Sequence, residues 1–306
     1  MANALGTLFG DIASAIREKT GDTATMKPAQ FPEKIAAIEA GGGGSLPVGA
    51  YWEALPIPYV NIYPQMWFEF NGVLYAFINV SAGSGWIRYI YKYTNNAWIL
   101  VKDFGTANSG LNGVVRVPTE YNGKMHIFTS GNHFTFDGVS IEKKNRLPAA
   151  TYGVYQFVFV QDGKLKVQVE NGTVYVWDEA NDTWAEEVKL SVTYANFFEI
   201  NGVVYVFYNK NVYIYSGGTL TQFATLDVNF NGPGIKKDGK VYYFDTNNAK
   251  PRNIYEFNPT TKATRKVGAM PFVGASVPIT MYDNKIALVC YELSYPATCV
   301  LHEVTE

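Results

Sequence analysis

The side chains that commonly perform catalysis are few in this 306-residue chain and form no recognised combination. The histidines lack the spacings of a zinc site, and there are three of them: His126, His133 and His302. A glycosidase needs two paired carboxylates, but the spacing of the candidates does not pair them: Asp227, Asp245 and Glu292. Nucleophile elbows, phosphate-binding loops and calcium-binding loops are also missing from the sequence. We therefore expect a protein that is not an enzyme and that uses no metal or cofactor.

Aromatic, asparagine and arginine side chains between the apolar runs indicate ligand binding instead. Aromatic faces stack on sugar rings, while amide and guanidinium groups form hydrogen bonds with hydroxyl groups. The candidate ligand-binding residues are Tyr59, Tyr63, Trp86, Asn108, Asn112, His133, Tyr152, Tyr194, Phe230, Asn231, Asn247, Asn248, Arg252 and Tyr295. Trp86 and Tyr295 are the strongest candidates, because each large ring lies beside glycine or proline, with no evident core to fill.

Composition favours a β-rich scaffold for these residues. Aromatic residues make up 15% of the chain and charged residues 17%, and aromatic side chains suit pleated, half-buried surfaces. The net charge of −2 and the scattered basic residues argue against a nucleic acid partner. No apolar stretch is long enough to span a bilayer, so membrane insertion is not expected.

A repeated two-residue turn predicts the fold. Type I′ hairpin turns require positive φ at both central residues, which favours Asn-Gly and Asp-Gly pairs. Such pairs recur roughly every 40 to 50 residues, the length of a four-stranded propeller blade. They are Asn71-Gly72, Asn122-Gly123, Asp162-Gly163, Asn201-Gly202, Asp238-Gly239 and the variant Asp283-Asn284. Residues 50–306 are therefore predicted to form a six-bladed β-propeller, in a mainly β chain.

The two ends of the repeat region are predicted to close the ring. Residues 51–57 form an outer strand without a preceding blade, and the chain ends at a third strand, residues 298–304. Pairing these strands completes the sixth blade and leaves few exposed strand edges. In the same blade, a turn at Ser294 and Tyr295 would place Cys290 opposite Cys299, which we expect to be reduced thiols.

The predicted connections differ between the two ends of the propeller. The turns from first to second strand and from third to fourth strand lie at one end, which we call the short-turn face. The connections from second to third strand and from blade to blade lie at the other end, the long-loop face. Recognition usually resides in loops on a rigid scaffold, so the long-loop face is the predicted binding surface.

The first 40 residues are predicted to form a helical hairpin that anchors the propeller. Apolar residues at spacings of three and four form one stripe on the first helix: Leu5, Phe9, Ile12 and Ile16. So small a module cannot bury enough apolar surface alone, so it should associate with copies of itself or with a host structure. Residues 41–49 form a glycine-rich linker.

Two family resemblances suggest a biological setting. The segment GDIASAIREKTGDTATMKPAQFPEKIAAIEAGGGG, from Gly10 to Gly44, resembles a helical module of bacteriophage tail and tail-fibre proteins. The string from Tyr255 through Asn258-Pro259 to Met270-Pro271 resembles Kelch-type propellers, although their usual double glycine is missing.

The first resemblance implies a protein made in the bacterial cytoplasm and carried on the virion tail. Residues 1–40 would bind tail or baseplate proteins, and the chain would form a homo-oligomer. The propeller would bind a host surface glycan or protein. A structural spacer or decoration protein of the tail is the alternative function, and a glycan-degrading propeller enzyme is the third.

Overall fold

The computed structural model describes the repeat region with gaps at several connections. The described residues are 51–55, 62–82, 85–104, 118–129, 132–148, 157–244, 253–269, 279–290 and 297–302. The predicted helical anchor and linker, residues 1–49, lie outside them. Within the described residues, no helix is long and apolar enough to cross a membrane.

The described strands form six antiparallel sheets of four strands each. Sheet one contains β2 (Ile62–Phe70), β3 (Val73–Ala82), β4 (Gly85–Thr94) and β5 (Ala97–Asp103). Sheet two contains β6 (Thr119–Tyr121), β7 (Lys124–Thr129), β8 (Asn132–Phe136) and β9 (Ile141–Lys144). Sheet three contains β10 (Phe157–Gln161), β11 (Lys164–Gln168), β12 (Thr173–Asp178) and β13 (Thr183–Lys189).

The remaining sheets follow the same order, except that the last one also contains the first strand. Sheet four contains β14 (Asn196–Ile200), β15 (Val203–Tyr208), β16 (Asn211–Ser216) and β17 (Thr219–Thr225). Sheet five contains β18 (Asn231–Lys237), β19 (Lys240–Phe244), β20 (Asn253–Asn258) and β21 (Ala263–Ala269). Sheet six contains β22 (Ile279–Tyr282), β23 (Lys285–Cys290), β24 (Ala297–His302) and β1 (Tyr51–Leu55).

Sheet six joins the two ends of the repeat region. Strand β1 pairs antiparallel with β24, with Tyr51 opposite His302 and Leu55 opposite Thr298. Strand β1 is therefore the outermost strand of a sheet whose other strands come from the end of the chain. The register of β23 and β24 places Cys290 opposite Ala297 and Cys299 opposite Leu288, so the cysteines are not opposite each other as the sequence suggested.

The inner hairpins have the predicted turn geometry. The first turn has φ of 51° at Asn71 and 69° at Gly72, and the last has 50° at Asp283 and 55° at Asn284. All four turns between them also have positive φ at both residues. Asparagine, aspartate and glycine tolerate this left-handed backbone, which explains why these residue types recur here.

Six apolar clusters lie between neighbouring sheets in the described part of the chain. Phe68 of sheet one packs with Phe136 of sheet two, and equivalent clusters join each following pair of sheets. The sixth cluster contains Trp67 and Leu74 of sheet one together with Leu55 and Tyr282 of sheet six. The sheets therefore form a closed ring, and the predicted mainly β propeller fold is confirmed.

Candidate functional site

The inner strand of every sheet presents one equivalent residue to the centre of the ring. This residue is the second before each inner turn, and the hairpin registers pair it with a buried apolar residue on the next strand, as in Glu69 with Leu74 and Glu199 with Val204. The six equivalent residues form what we call the channel layer: Glu69, Glu120, Val160, Glu199, Lys236 and Met281.

A cavity of about 780 Å³ lies inside the ring and is lined by all six residues of the channel layer. Its wall also contains aromatic and aliphatic side chains from the inner strands, among them Phe157, Phe197, Phe198 and Ile235. This volume lies within the range of small-molecule sites, which are mostly apolar with a few polar groups. The central cavity is therefore a candidate ligand site.

The central cavity opens at the short-turn face. The channel-layer carboxylates also line an adjoining recess, whose rim contains residues of the inner turns: Asn71, Gly72, Asn201, Asp238, Gly239 and Asn284. Because these turns contain two residues each, no long loop among the described residues covers the mouth of the cavity. A ligand approaching from this face meets the charged layer before the aromatic wall.

One carboxylate of the channel layer is paired with a positively charged side chain. Lys236 Nζ lies 3.3 Å from Glu199 Oε2 and also donates a hydrogen bond to the Glu199 carbonyl at 3.1 Å. The backbone N–H of Gly202 donates to Glu199 Oε1 at 2.6 Å. The Gly202 hydrogen bond and the charge of Lys236 lower the pKa of Glu199, so this carboxylate is ionised at neutral pH.

Glu69 is placed differently from Glu199. Its Oε2 atom is buried, and no hydrogen bond reaches it from the described residues. Buried carboxylate oxygens without donors are uncommon, since an unsatisfied acceptor costs about 1–3 kcal/mol. Glu69 and Glu120 come from neighbouring sheets, so the layer is most acidic on the side of sheets one and two.

Two predicted ligand-binding residues are buried between sheets. His133 is fully buried on β8, and its ring stacks on Phe128 with centroids 4.6 Å apart. Phe230 is 7% exposed and stacks on Tyr243 in the cluster between sheets four and five. Both side chains fill the space between sheets, so the surface expected to include them does not contain them.

Three further predicted residues lie at strand ends towards the long-loop face. Tyr63 is on β2 opposite Asn79, Trp86 is on β4 opposite Ser81, and Asn231 begins β18 opposite Phe244. Tyr194 lies between β13 and β14, where it is 47% exposed and has a φ of 59°. The other candidates lie outside the described residues: Tyr59, Asn108, Asn112, Tyr152, Asn247, Asn248, Arg252 and Tyr295.

His126 and His133 form a buried pair between sheets two and three. His126 Nδ1 and His133 Nε2 are 2.8 Å apart, and the rings are 1% and 0% exposed. Burial lowers the pKa of His126 to about 4 and that of His133 to about 2. Both imidazoles are therefore neutral at physiological pH, and one donates a hydrogen bond to the other.

The channel layer was not identified from the sequence, although the signal for it was present. Aligning the chain on its six inner turns places the same position of every inner strand in register, and three of the six residues found there are glutamate. Carboxylates on strands that are otherwise apolar indicate a water-accessible position within the repeat. Turn-based alignment would have found the layer, whereas scanning the loops for aromatic residues could not.

Comparison with known proteins shows a likeness in fold. The chain is similar to the crystal structure of a structural-genomics protein of unknown function from Bacteroides thetaiotaomicron VPI-5482, with a TM-score of 0.57. The two are 10% identical, and the match covers 83% of this chain and 76% of the other. No known protein family and no curated protein matches the sequence. At this identity the likeness shows the fold alone.

Proposed function

We propose that this chain is a receptor-binding protein of a bacteriophage tail. Residues 1–40 attach it to tail proteins and to other copies of the chain, and the propeller binds a host cell-surface glycan through its long-loop face. The phage-tail assignment is drawn from the sequence resemblance of Gly10 to Gly44. Kinship with Kelch propellers remains a prediction from the Tyr255 to Pro271 string.

The direction of β1 is the observation that carries the proposal. Each inner strand runs towards the short-turn face, so the connection from β1 into β2 lies at the long-loop face. Strand β1 therefore begins at the short-turn face, where Tyr51 follows the linker. An attachment through residues 1–40 holds the propeller from its short-turn side, and the long-loop face is directed outwards.

The lengths of the connections support the same orientation. At the short-turn face, the hairpins have two to four residues between strands, as from Asn258 to Ala263. At the long-loop face, the connections from sheet to sheet extend further, as from Asp103 to Thr119 and from Lys144 to Phe157. Three of the second-to-third connections at this face are short, with two residues each: 83–84, 130–131 and 209–210. Long connections on a rigid sheet scaffold provide the variable surface that recognition needs.

A glycan array probed with the full chain tests the proposal. Trp86→Ala/Tyr295→Ala should abolish both glycan retention and adsorption to host cells, because stacking rings contribute much of the binding energy at a sugar site. Melting followed by circular dichroism should stay nearly unchanged. The matched control, Ile99→Ala/Leu100→Ala, removes two exposed apolar side chains from the outer strand of sheet one and should keep adsorption.

The alternatives predict different results in the same experiment. If the chain is a structural spacer, neither the wild type nor the two variants retain a glycan. Deleting the chain from the phage would then affect tail assembly only. A glycan-degrading enzyme releases shortened sugars from the retained ligand, which mass spectrometry of the supernatant detects. Adsorption that is unchanged in Trp86→Ala/Tyr295→Ala would refute binding through the long-loop face.

A further inference from the structure

The central cavity has an uneven distribution of charge and apolar surface. Sheets one and two contribute Glu69 and Glu120, and sheets three and four contribute the aromatic wall at Phe157, Phe197 and Phe198. Acidic and aromatic surfaces therefore lie next to each other around the ring. A ligand that matches both must be amphipathic.

The charge of the channel layer determines whether the polar group of the ligand should be positive or negative. Lys236 forms a salt bridge with Glu199. On the opposite side of the channel layer, a ligand would therefore meet the carboxylates of Glu69 and Glu120. Glu69 Oε2 is buried and receives no hydrogen bond from a described residue, so it has capacity for an external donor. An ammonium or guanidinium group supplies charged N–H donors, whereas an anion is repelled.

The apolar wall determines the rest of the ligand. Phe157, Phe198 and Ile235 are only partly buried by the protein, because their remaining surface faces the cavity. Covering this surface with an apolar group releases water, which contributes roughly 25 cal/mol for each Å² removed from solvent. The aromatic faces also attract a nearby cation.

We infer that the central cavity binds a small organic cation with an apolar body, such as an arylalkylamine or an aliphatic amine or guanidine of similar size. Its charged group lies in the channel layer and forms hydrogen bonds with Glu69 and Glu120. Its apolar body lies against the aromatic wall of sheets three and four. The charged end of this site lies beside the short-turn face, opposite the glycan surface proposed above.

Isothermal titration calorimetry with three probes of the same shape tests the inference. The full chain is titrated with phenethylamine, 2-phenylethanol and phenylacetate, which differ mainly in charge. The amine should bind at least about tenfold more tightly than the alcohol, which corresponds to about 1.4 kcal/mol. Phenylacetate should bind more weakly than either.

Two sets of variants locate the binding. Glu69→Gln/Glu120→Gln keeps the shape of the layer and should remove the preference for the amine, whereas the control Glu142→Gln, on the exposed strand β9, should keep it. Val160→Trp adds a large ring to the channel layer, where it occupies part of the cavity, and should weaken binding of all three probes. The control Val139→Trp changes a side chain that is 76% exposed and should bind like the wild type.

Several results would overturn the inference. These are the absence of binding by any probe, equal affinities for the amine and the alcohol, and an amine preference that persists in Glu69→Gln/Glu120→Gln. Affinities that are unchanged in Val160→Trp would place the probes away from the channel layer. Melting curves of each variant, recorded by circular dichroism, distinguish a lost site from a lost fold.

Discussion

Acidification should destabilise the propeller at the interface of sheets two and three, where His126 and His133 are buried. An unfolded histidine has a pKa near 6.5, whereas burial lowers the pKa of His126 to about 4 and that of His133 to about 2 in the native state. Below pH 6.5 the unfolded chain therefore binds more protons than the native chain. Stability must fall as the pH falls, and the loss levels off only below the native pKa values.

The size of this effect follows from the same shifts. At about pH 5 the unfolded imidazole is almost fully protonated and the native one is almost neutral, so the linkage relation gives about 2 kcal/mol for each histidine. The two together contribute about 4 kcal/mol relative to a pH well above 6.5. For a domain with a typical free energy of unfolding of about 5–15 kcal/mol, this is a large fraction of its stability.

Urea unfolding at a series of pH values measures the effect. His126→Phe/His133→Phe replaces both imidazoles with rings that do not titrate and that suit the aromatic surroundings of Phe128 and Trp177. The loss of stability between about pH 7 and about pH 5 should be about 4 kcal/mol smaller in the double variant. His302 and all the carboxylates remain in both proteins, so their titration cancels in the comparison. The same pH dependence in both proteins would refute the reasoning.

Three further predictions concern the stability of the ring. Glu256→Gln weakens the two hydrogen bonds from Arg265, at 2.9 and 2.8 Å, and should lower the free energy of unfolding by about 2 kcal/mol in urea, whereas the exposed control Glu142→Gln should change it by less than about 0.5 kcal/mol. A similar loss in both variants would contradict this difference. Gly234→Ala places a methyl carbon 2.6 Å from a ring carbon of Phe230 and should lower the free energy of unfolding by about 1–3 kcal/mol. An unchanged urea midpoint would show that the neighbouring side chains move aside at little cost. Deleting residues 46–58 removes β1 and exposes the edge of β24, so the melting temperature should fall or the protein should aggregate, and unchanged melting would rule out a stabilising role for the β1–β24 pairing.

The propeller could be predicted from the sequence because its turns impose a local requirement. Positive φ at both turn residues restricts the choice to a few residue types, and this requirement holds wherever a tight hairpin occurs, as at Asn71-Gly72 and Asn201-Gly202. The spacing of such turns then gives the repeat without any knowledge of long-range contacts. Strand bounds were less exact, as for β24, which begins at Ala297 rather than at the predicted residue 298.

The candidate sites were harder to predict, because they depend on how whole sheets pack. His133 and Phe230 lie close to connections in the sequence, yet their side chains turn into the spaces between sheets. Whether a residue near a strand end faces the solvent or a neighbouring sheet depends on the angle between sheets, which no local pattern records. The channel layer arises in the same way, because six inner strands approach one axis only after the ring has closed.

The pairing of β1 with β24 also determines how the propeller would bear a mechanical load. Tension between residues 1–50 and a ligand held at the long-loop face would enter the propeller at Tyr51, and the component of that force along β1 is perpendicular to the hydrogen bonds with β24. The five residue pairs from Tyr51–His302 to Leu55–Thr298 would then be sheared together rather than opened one after another. In shear, all the hydrogen bonds of a strand must break together, so their resistance adds up. Strand β1, which closes the ring, would therefore also hold the propeller on residues 1–50 under tension.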